Sequence, residues 1–316
     1  MSLTISSVAA ALGISKGTVS RAITGNGRIS SVTQKRIRDY MAEHDFHPNA
    51  IAQNLSTRKS MTLAYTVPSD RRLIQLPFYL QCLSSVIGVA LTHRYDVLAV
   101  DNTYATVSRA IAQGKVDGVI VSRNPEDPRM LDHLVERDFP FVVIGPTGHD
   151  DVITIDHDHT AACREFTAAV LGRWEGRPGM VAGPKNDLIS LARAAGFSAS
   201  APGAPIAWGA VDEATALTAL EELLAAQVDI VFCGDDMICG FLDAILRSGR
   251  LDTDPTVVRL ASFHGSPILQ ALNPTIPVIS FDSASLGSAA CTTLLDRIAG
   301  LAATSVTLGY DIVVGT

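Results

Sequence analysis

Apolar residues recur at spacings of three and four through the N-terminal region, and the polar residues between them are of the kinds that start, stop and turn helices. Thr4 is placed to cap a first helix carrying Ile5, Val8, Ala9 and Leu12 on one face. Gly13 supplies the positive-φ residue a tight turn needs, Ile14 fills the angle, and Ser15 is placed to cap a second helix from Lys16 to Ile23. Val19 and Ile23 face inward there, which leaves Lys16, Gly17, Ser20 and Arg21 on an outward half suited to a major groove. After the turn Thr24-Gly25-Asn26-Gly27, Ser30 can cap a third helix through Lys35, Arg36, Ile37, Arg38 and Met41. Pro48 closes the region, and Asn49 to Leu55 is a short helical candidate. This order predicts a helix-turn-helix.

From Met61 the period changes. Short apolar runs predict strands at Met61–Val67, Asp96–Val100, Val116–Val121 and Phe141–Ile144. Helical patterns at Phe78–His93, Val107–Gln113 and Met130–Arg137 separate them. A second round begins near Ile153. It has helices at Thr160–Leu171, Ser190–Phe197, Asp212–Ala226 and Met237–Ser248, and strands at Gly179–Ala182, Pro202–Trp208, Ile230–Cys233 and Val257–Phe263. Alternation of this kind calls for parallel sheets covered on both faces, so the fold class is α/β: a helix-turn-helix headpiece plus two doubly wound lobes. The domains are expected at 1–58, headpiece and hinge, and 59–316, a two-lobed core.

Charge sharpens this division. Residues 1–60 hold eight Lys or Arg against three acids, a balance of +5, and the whole-chain charge of −7 leaves −12 for the rest. A basic end on an acidic body suits nucleic acid contact confined to the N-terminus. Five cysteines, Cys82, Cys163, Cys233, Cys239 and Cys291, form no metal-spaced pair and sit mostly in apolar runs, as buried reduced thiols do. No apolar run is long enough to span a bilayer, and the N-terminus lacks the basic and apolar regions of a secretory signal. A cytoplasmic protein without a membrane partner is expected.

The segment from Thr4 to Leu55 resembles the headpiece and hinge of the lactose-repressor (LacI/GalR) family of bacterial transcription regulators. Ile14-Ser15 and Thr18-Val19-Ser20-Arg21 stand as in the family signature, and Pro48 to Leu55, PNAIAQNL, is similar to its hinge. The resemblance implies DNA contacts from Thr4, Ser15, Lys16, Gly17, Thr18, Ser20, Arg21, Asn26, Asn49, Ala52, Gln53 and Leu55, with Leu55 as a minor-groove wedge. Ser7 and Thr24 depart from the family's common acidic residue and asparagine. Gly17 departs more, since it offers no side chain where many relatives contact a base, so base reading falls to Lys16, Arg21 and Ser20.

The body resembles the family's effector-binding core, itself similar to periplasmic sugar-binding proteins. By that analogy the chain crosses between lobes near Ile155–Asp158, Ser280–Asp282 and Val306. The resemblance implies effector contacts from Phe78, Tyr79, Arg123, Arg193, Asp235, His264 and Phe281, and SRNPEDPR (Ser122 to Arg129) resembles a subset associated with oligosaccharide or glycoside uptake. His264 stands where relatives carry an aspartate that accepts from vicinal hydroxyls. A histidine there is expected to favour an acceptor or anionic group, or a larger glycoside read elsewhere. For either carboxylate of Asp235-Asp236 the alternative use is an acidic helix cap. His157-Asp158-His159 is read as a loop just past a strand end and not as a metal pair. No phosphate-loop or nucleophile-elbow motif occurs, so neither an enzyme nor a cofactor is expected.

The function expected is a ligand-responsive DNA-binding transcriptional regulator, a repressor of carbohydrate uptake or catabolism genes. Its partners are double-stranded palindromic operator DNA, a second copy in a homodimer or tetramer, and a sugar, glycoside or sugar derivative. The alternative is a soluble solute-binding protein or sugar-acting enzyme with an incidental helical N-terminus.

Overall fold

The computed structural model describes residues 4–24, 28–46, 59–69, 77–249, 251 and 257–314. The chain divides into two compact units, Met1–Met61 and Thr62–Thr316.

Among its described residues the first unit has three helices: α1 (Ile5–Leu12), α2 (Lys16–Thr24) and α3 (Ser31–Glu43). Thr4 caps α1 in a reciprocal box with Ser7: the Ser7 amide donates to Thr4 Oγ1 at 3.2 Å and the Thr4 amide to Ser7 Oγ at 2.6 Å. The serine that departs from the family pattern thus satisfies a helix-end donor. Gly13, at φ 65°, turns the chain, and Ser15 and Ser30 accept from the amides of Thr18 and Thr33 to start the next helices. Val8, Ala9, Leu12, Val19, Ala22, Ile37 and Phe46 close a small core.

The second unit holds two six-stranded sheets. The first is built from β1 (Thr62–Val67), β2 (Asp96–Asp101), β3 (Gly118–Val121), β4 (Phe141–Ile144), β5 (Thr154–His157) and β11 (Val306–Leu308), in the order β11-β5-β4-β3-β1-β2, all parallel. The second is built from β6 (Pro178–Val181), β7 (Ile206–Ala207), β8 (Ile230–Cys233), β9 (Arg259–Ser262), β10 (Val278–Phe281) and β12 (Tyr310–Val313), in the order β12-β10-β9-β8-β6-β7. Only β12 runs antiparallel to its neighbour. Strands β3, β4 and β8 are buried along their whole length, as strands covered on both faces must be.

Helices α4 (Pro77–Thr92), α5 (Tyr104–Ala112) and α6 (Arg129–Glu136) belong to the first lobe. Helices α7 (His159–Leu171), α8 (Leu188–Ser200), α9 (Glu213–Ala225), α10 (Asp236–Arg247) and α11 (Pro267–Leu272) belong to the second. The last helix, α12 (Ser283–Ile298), leaves the second sheet and packs on α4, β3 and β4 of the first. A Cβ at Gly196 of α8 would collide with the backbone of Thr160 and Arg164, so the glycine sets how closely α8 lies on α7.

The chain crosses between lobes three times, at His157–His159, Phe281–Ser283 and Leu308–Tyr310. Two sequence readings are corrected. His157-Asp158-His159 is not a loop past a strand: His157 ends β5, the Asp158 side chain accepts from the Ala161 amide at 2.8 Å, and His159 opens α7. The strand read at Pro202–Trp208 shrinks to Ile206–Ala207, an edge pairing with β6 only. Beyond Phe263 the sequence predicts only the crossings near Ser280–Asp282 and Val306, and no helix or strand. The buried face of α12, Leu286, Gly287, Ala290, Cys291 and Leu294, is too rich in small residues to give a strong stripe.

Candidate DNA-binding face and effector cavity

On α2, Lys16, Gly17 and Arg21 are exposed, Thr18 and Ser20 are half-buried, and Val19 is fully buried. The helix therefore shows a basic face while its apolar side anchors it. Ser15 and Thr18 are engaged in the cap, their hydroxyls 2.8 Å apart. Arg21 Nε donates to the Gly17 carbonyl at 3.0 Å, which lays the guanidinium along the helix. Gly17 has room for a side chain, because a Cβ there would meet only ordinary contacts at 3.7 Å. Thr4 is exposed at the start of α1. Asn26, Asn49, Ala52, Gln53 and Leu55 lie outside the described residues.

In the second unit, carboxyl ends of strands and amino ends of helices from both lobes converge on one cavity of about 180 Å³. All seven residues singled out for effector contact line it: Phe78, Tyr79, Arg123, Arg193, Asp235, His264 and Phe281. Phe78 and Tyr79 open α4 with their rings at 87° and 5.1 Å. Arg123 follows β3 and reaches Asp187 of the other lobe, Nη2 to Oδ1 3.4 Å. Arg193 is buried on α8; its Nη1 donates to the Gly234 carbonyl at 2.5 Å, and its Nε has no partner among the described residues.

The two neighbouring aspartates divide their work. Asp235 caps α10 by accepting from the Ile238 amide at 2.8 Å; burial pushes its carboxyl up, against that amide and the Arg193 charge. Burial pushes Asp236 up too, but the hydrogen bond and charge of His264, with the Ser266 hydroxyl, hold it below the ordinary range. His264 Nδ1 lies 3.1 Å from Asp236 Oδ1, and its ring stacks on Phe281 at 6.0 Å and 18°. Asp235 is thus both the cap of α10 and part of the cavity wall.

Four further titratable side chains, Asp156, His157, His159 and Asp187, line the cavity without having been singled out for effector contact in the sequence. Asp187 carries the only early signal, a cap at the start of α8 that accepts from the Ser190 amide. Asp156, His157 and His159 complete the wall beside Phe281. His159 Nε2 sits 3.3 Å from Asp156 Oδ1. Burial holds both histidines below the usual imidazole range, against Leu308 and Asp156 for His157 and against Asp156 for His159. All five cysteines are buried and free, and burial pushes Cys82, Cys163 and Cys291 up to about 12. Among the described residues there is no helix long and apolar enough to cross a membrane and no group of three side chains that could hold a metal.

A helix-turn-helix ahead of two doubly wound lobes defines a class of DNA-binding regulators, and the comparisons agree. Residues 4–49 match the family described as bacterial regulatory proteins, lacI family. The HTH-type transcriptional regulator CelR of Thermobifida fusca is 28% identical over 94% of this chain and 92% of its own length. The HTH-type transcriptional regulator MalR of Staphylococcus xylosus is 31% identical over 54% of this chain and 53% of its own length. In fold, the lac repressor dimer bound to operator and an anti-inducer superposes with a TM-score of 0.82 at 18% identity, covering 99% of this chain and 98% of that one. A CelR–cellobiose complex superposes at 0.71 and 22% identity, covering 98% of each chain. Residues 4–49 thus match the DNA-binding region of the lacI family, and over nearly its whole length the chain is similar to an HTH-type transcriptional regulator.

Proposed function

We propose that this regulator is a repressor of carbohydrate genes, that residues 1–58 bind a palindromic operator, and that residues 59–316 bind the effector between the lobes and hold two copies together. The observation that carries the reading is a cavity into which both lobes send the aromatic, cationic and acidic residues named above. Rings flank the space, and buried charged groups fix orientation, as in sites for small polar ligands. Ligand bound more tightly by one lobe arrangement shifts the equilibrium between arrangements and, through it, operator affinity.

The charge of the cavity supports a neutral effector. Asp156, Asp187, Asp235 and Asp236 face Arg123 and Arg193 alone among permanent cations, and the Nδ1 of His264 is already occupied by Asp236. An anionic sugar acid would add charge to an acidic site, so the expectation that His264 selects an anion loses its support. A sugar or glycoside, whose hydroxyls both donate and accept, fits the set. CelR is known as a complex with cellobiose, which makes cellobiose the first compound to try.

Exposed apolar residues support the homodimer. Leu80, Ile87 and Leu91 share a face of α4, Leu98 lies on the edge strand β2, and Ile268 and Leu272 protrude from α11. Exposed apolar side chains on a regulator of palindromic DNA suit a two-fold contact. A cytoplasmic location follows from operator binding. The test is a thermal-shift screen of the full chain against neutral sugars, glycosides and sugar acids. Stabilisation by a neutral saccharide, lost in Arg193→Ala, supports the reading, and stabilisation by acids alone contradicts it.

A further inference from the structure

One side chain touches all three chain crossings. His157 ends β5 in the first; its Nδ1 lies 3.2 Å from the carbonyl oxygen of Leu308 in the third, and its ring lies 4.7 Å from Phe281 in the second. A carbonyl only accepts, so Nδ1 carries the hydrogen and Nε2 is the bare nitrogen of a neutral ring. His157 is 4% exposed, and Nε2 is buried with no partner among the described residues. A proton on Nε2 would create a buried donor with no partner among the described residues and a buried positive charge that Asp156 and Asp282 offset only in part.

A second place for the ring exists nearby. On the other side of the crossing a groove of about 440 Å³ is lined by His157 itself and by Thr147, His149, Asp150, Asp156 and Asp158. The charged and titratable groups about His157 are Asp156 and Asp158 beside it in the chain, Asp282 of the second crossing and His159 of α7. Beyond Phe281 stand His264 with Asp236, and Tyr310. Inside the stack the neighbours are rings; in the groove they are carboxylates and hydroxyls.

We propose that His157 is the positioning residue of the inter-lobe hinge: neutral, it holds Phe281 and Leu308 in place, and protonated at Nε2, it swings into the acidic groove and lets the lobes part. The event takes up one proton from solvent and releases none. The proton binds the swung-out ring, set among carboxylates, more tightly than the buried one, so the parted population rises as pH falls through the imidazole range and is constant only well above it. The rise is at most about tenfold per pH unit for a single proton. Phe281 lines the effector cavity, so acid would also weaken effector binding. That consequence rests on the cleft reading above, whereas the hinge motion does not and is measured without ligand.

The test uses the full chain with spin labels on Gln113→Cys in the first lobe and Glu221→Cys in the second, both exposed positions. The native thiols are buried. The distance distribution is recorded between about pH 8 and 5. A longer-distance component should grow on acidification, disappear in His157→Gln, and persist in His264→Gln. If His157→Gln does not fold, His157→Asn replaces it. An unchanging distance in the parent protein, a response that survives at position 157, or one abolished by His264→Gln overturns the proposal.

Discussion

Arg123 and Asp187, 64 residues apart in the chain and in different lobes, meet with Nη2 3.4 Å from Oδ1 at the wall of the cavity between the lobes. Their side chains are 32% and 27% exposed, so the attraction is screened and the pair ties the lobes only lightly, by up to about 1 kcal/mol. A light tie suits a cleft that must open to admit a ligand. Asp187 has a second duty, because its carboxylate also caps α8 through Ser190.

Arg123→Gln is therefore expected to cost less than about 1 kcal/mol of core stability. Asp187→Ala should cost roughly 1 kcal/mol more, through the lost cap, and Asp187→Asn should recover most of that. Urea unfolding of the single and double variants separates the terms. A coupling well above about 1 kcal/mol would mean that the pair is a lock and not a light tie.

Gly17→Ala should stabilise α2 by about 0.5–1 kcal/mol, because the position is helical and a Cβ there has room. Slower amide exchange through residues 16–24 would register it. If operator affinity falls at the same time, the bare backbone at Gly17 is what approaches the DNA.

Arg21 rests on the Gly17 carbonyl in the protein without DNA. Arg21→Ala is expected to cost about 1–3 kcal/mol at the cognate operator and much less at altered bases, the pattern of a base-reading arginine. Equal losses on all sequences would make it a phosphate contact. Binding as a whole should weaken steeply with salt, as the +5 balance of residues 1–60 implies.

The pH dependence of core stability should show two stages. His157 and His159 have folded values below the ordinary imidazole value, so the unfolded chain takes up their protons first. Their contribution is complete above about pH 6.5 and declines as pH falls from there. Asp236 is depressed, so its contribution is complete above about pH 4 and is lost only on further acidification through its folded value. In urea midpoints across this range, His157→Gln should shrink the upper stage to the part His159 contributes, and Asp236→Asn should remove the lower one.

The headpiece was legible because its signals are short-range. Thr4, Gly13, Ser15 and Ser30 act within a turn of where they stand, and each does in the structure what its residue type foretells. The lobes were legible from strand–helix alternation up to Phe263. Beyond it, α12 buries small residues against α4 and gives no strong stripe. The cavity residues came from family resemblance, because Phe78, Arg193 and His264 meet only after three crossings bring distant segments together. Asp187 and His157 stayed hidden for the same reason, since their partners Arg123 and Leu308 are distant in sequence, whereas His159 pairs with nearby Asp156 and was hidden by reading His157-Asp158-His159 as a loop.

The account turns on one coupling, that a ligand held between the lobes changes the grip of the headpiece on DNA. It is measured by fluorescence anisotropy of the full chain on a palindrome selected from random duplexes, titrated with a saccharide that raises its melting temperature. Operator affinity should change by about fivefold or more at saturating ligand, and Arg193→Ala should abolish the change while binding the same DNA. Operator affinity indifferent to every stabilising ligand would contradict the account.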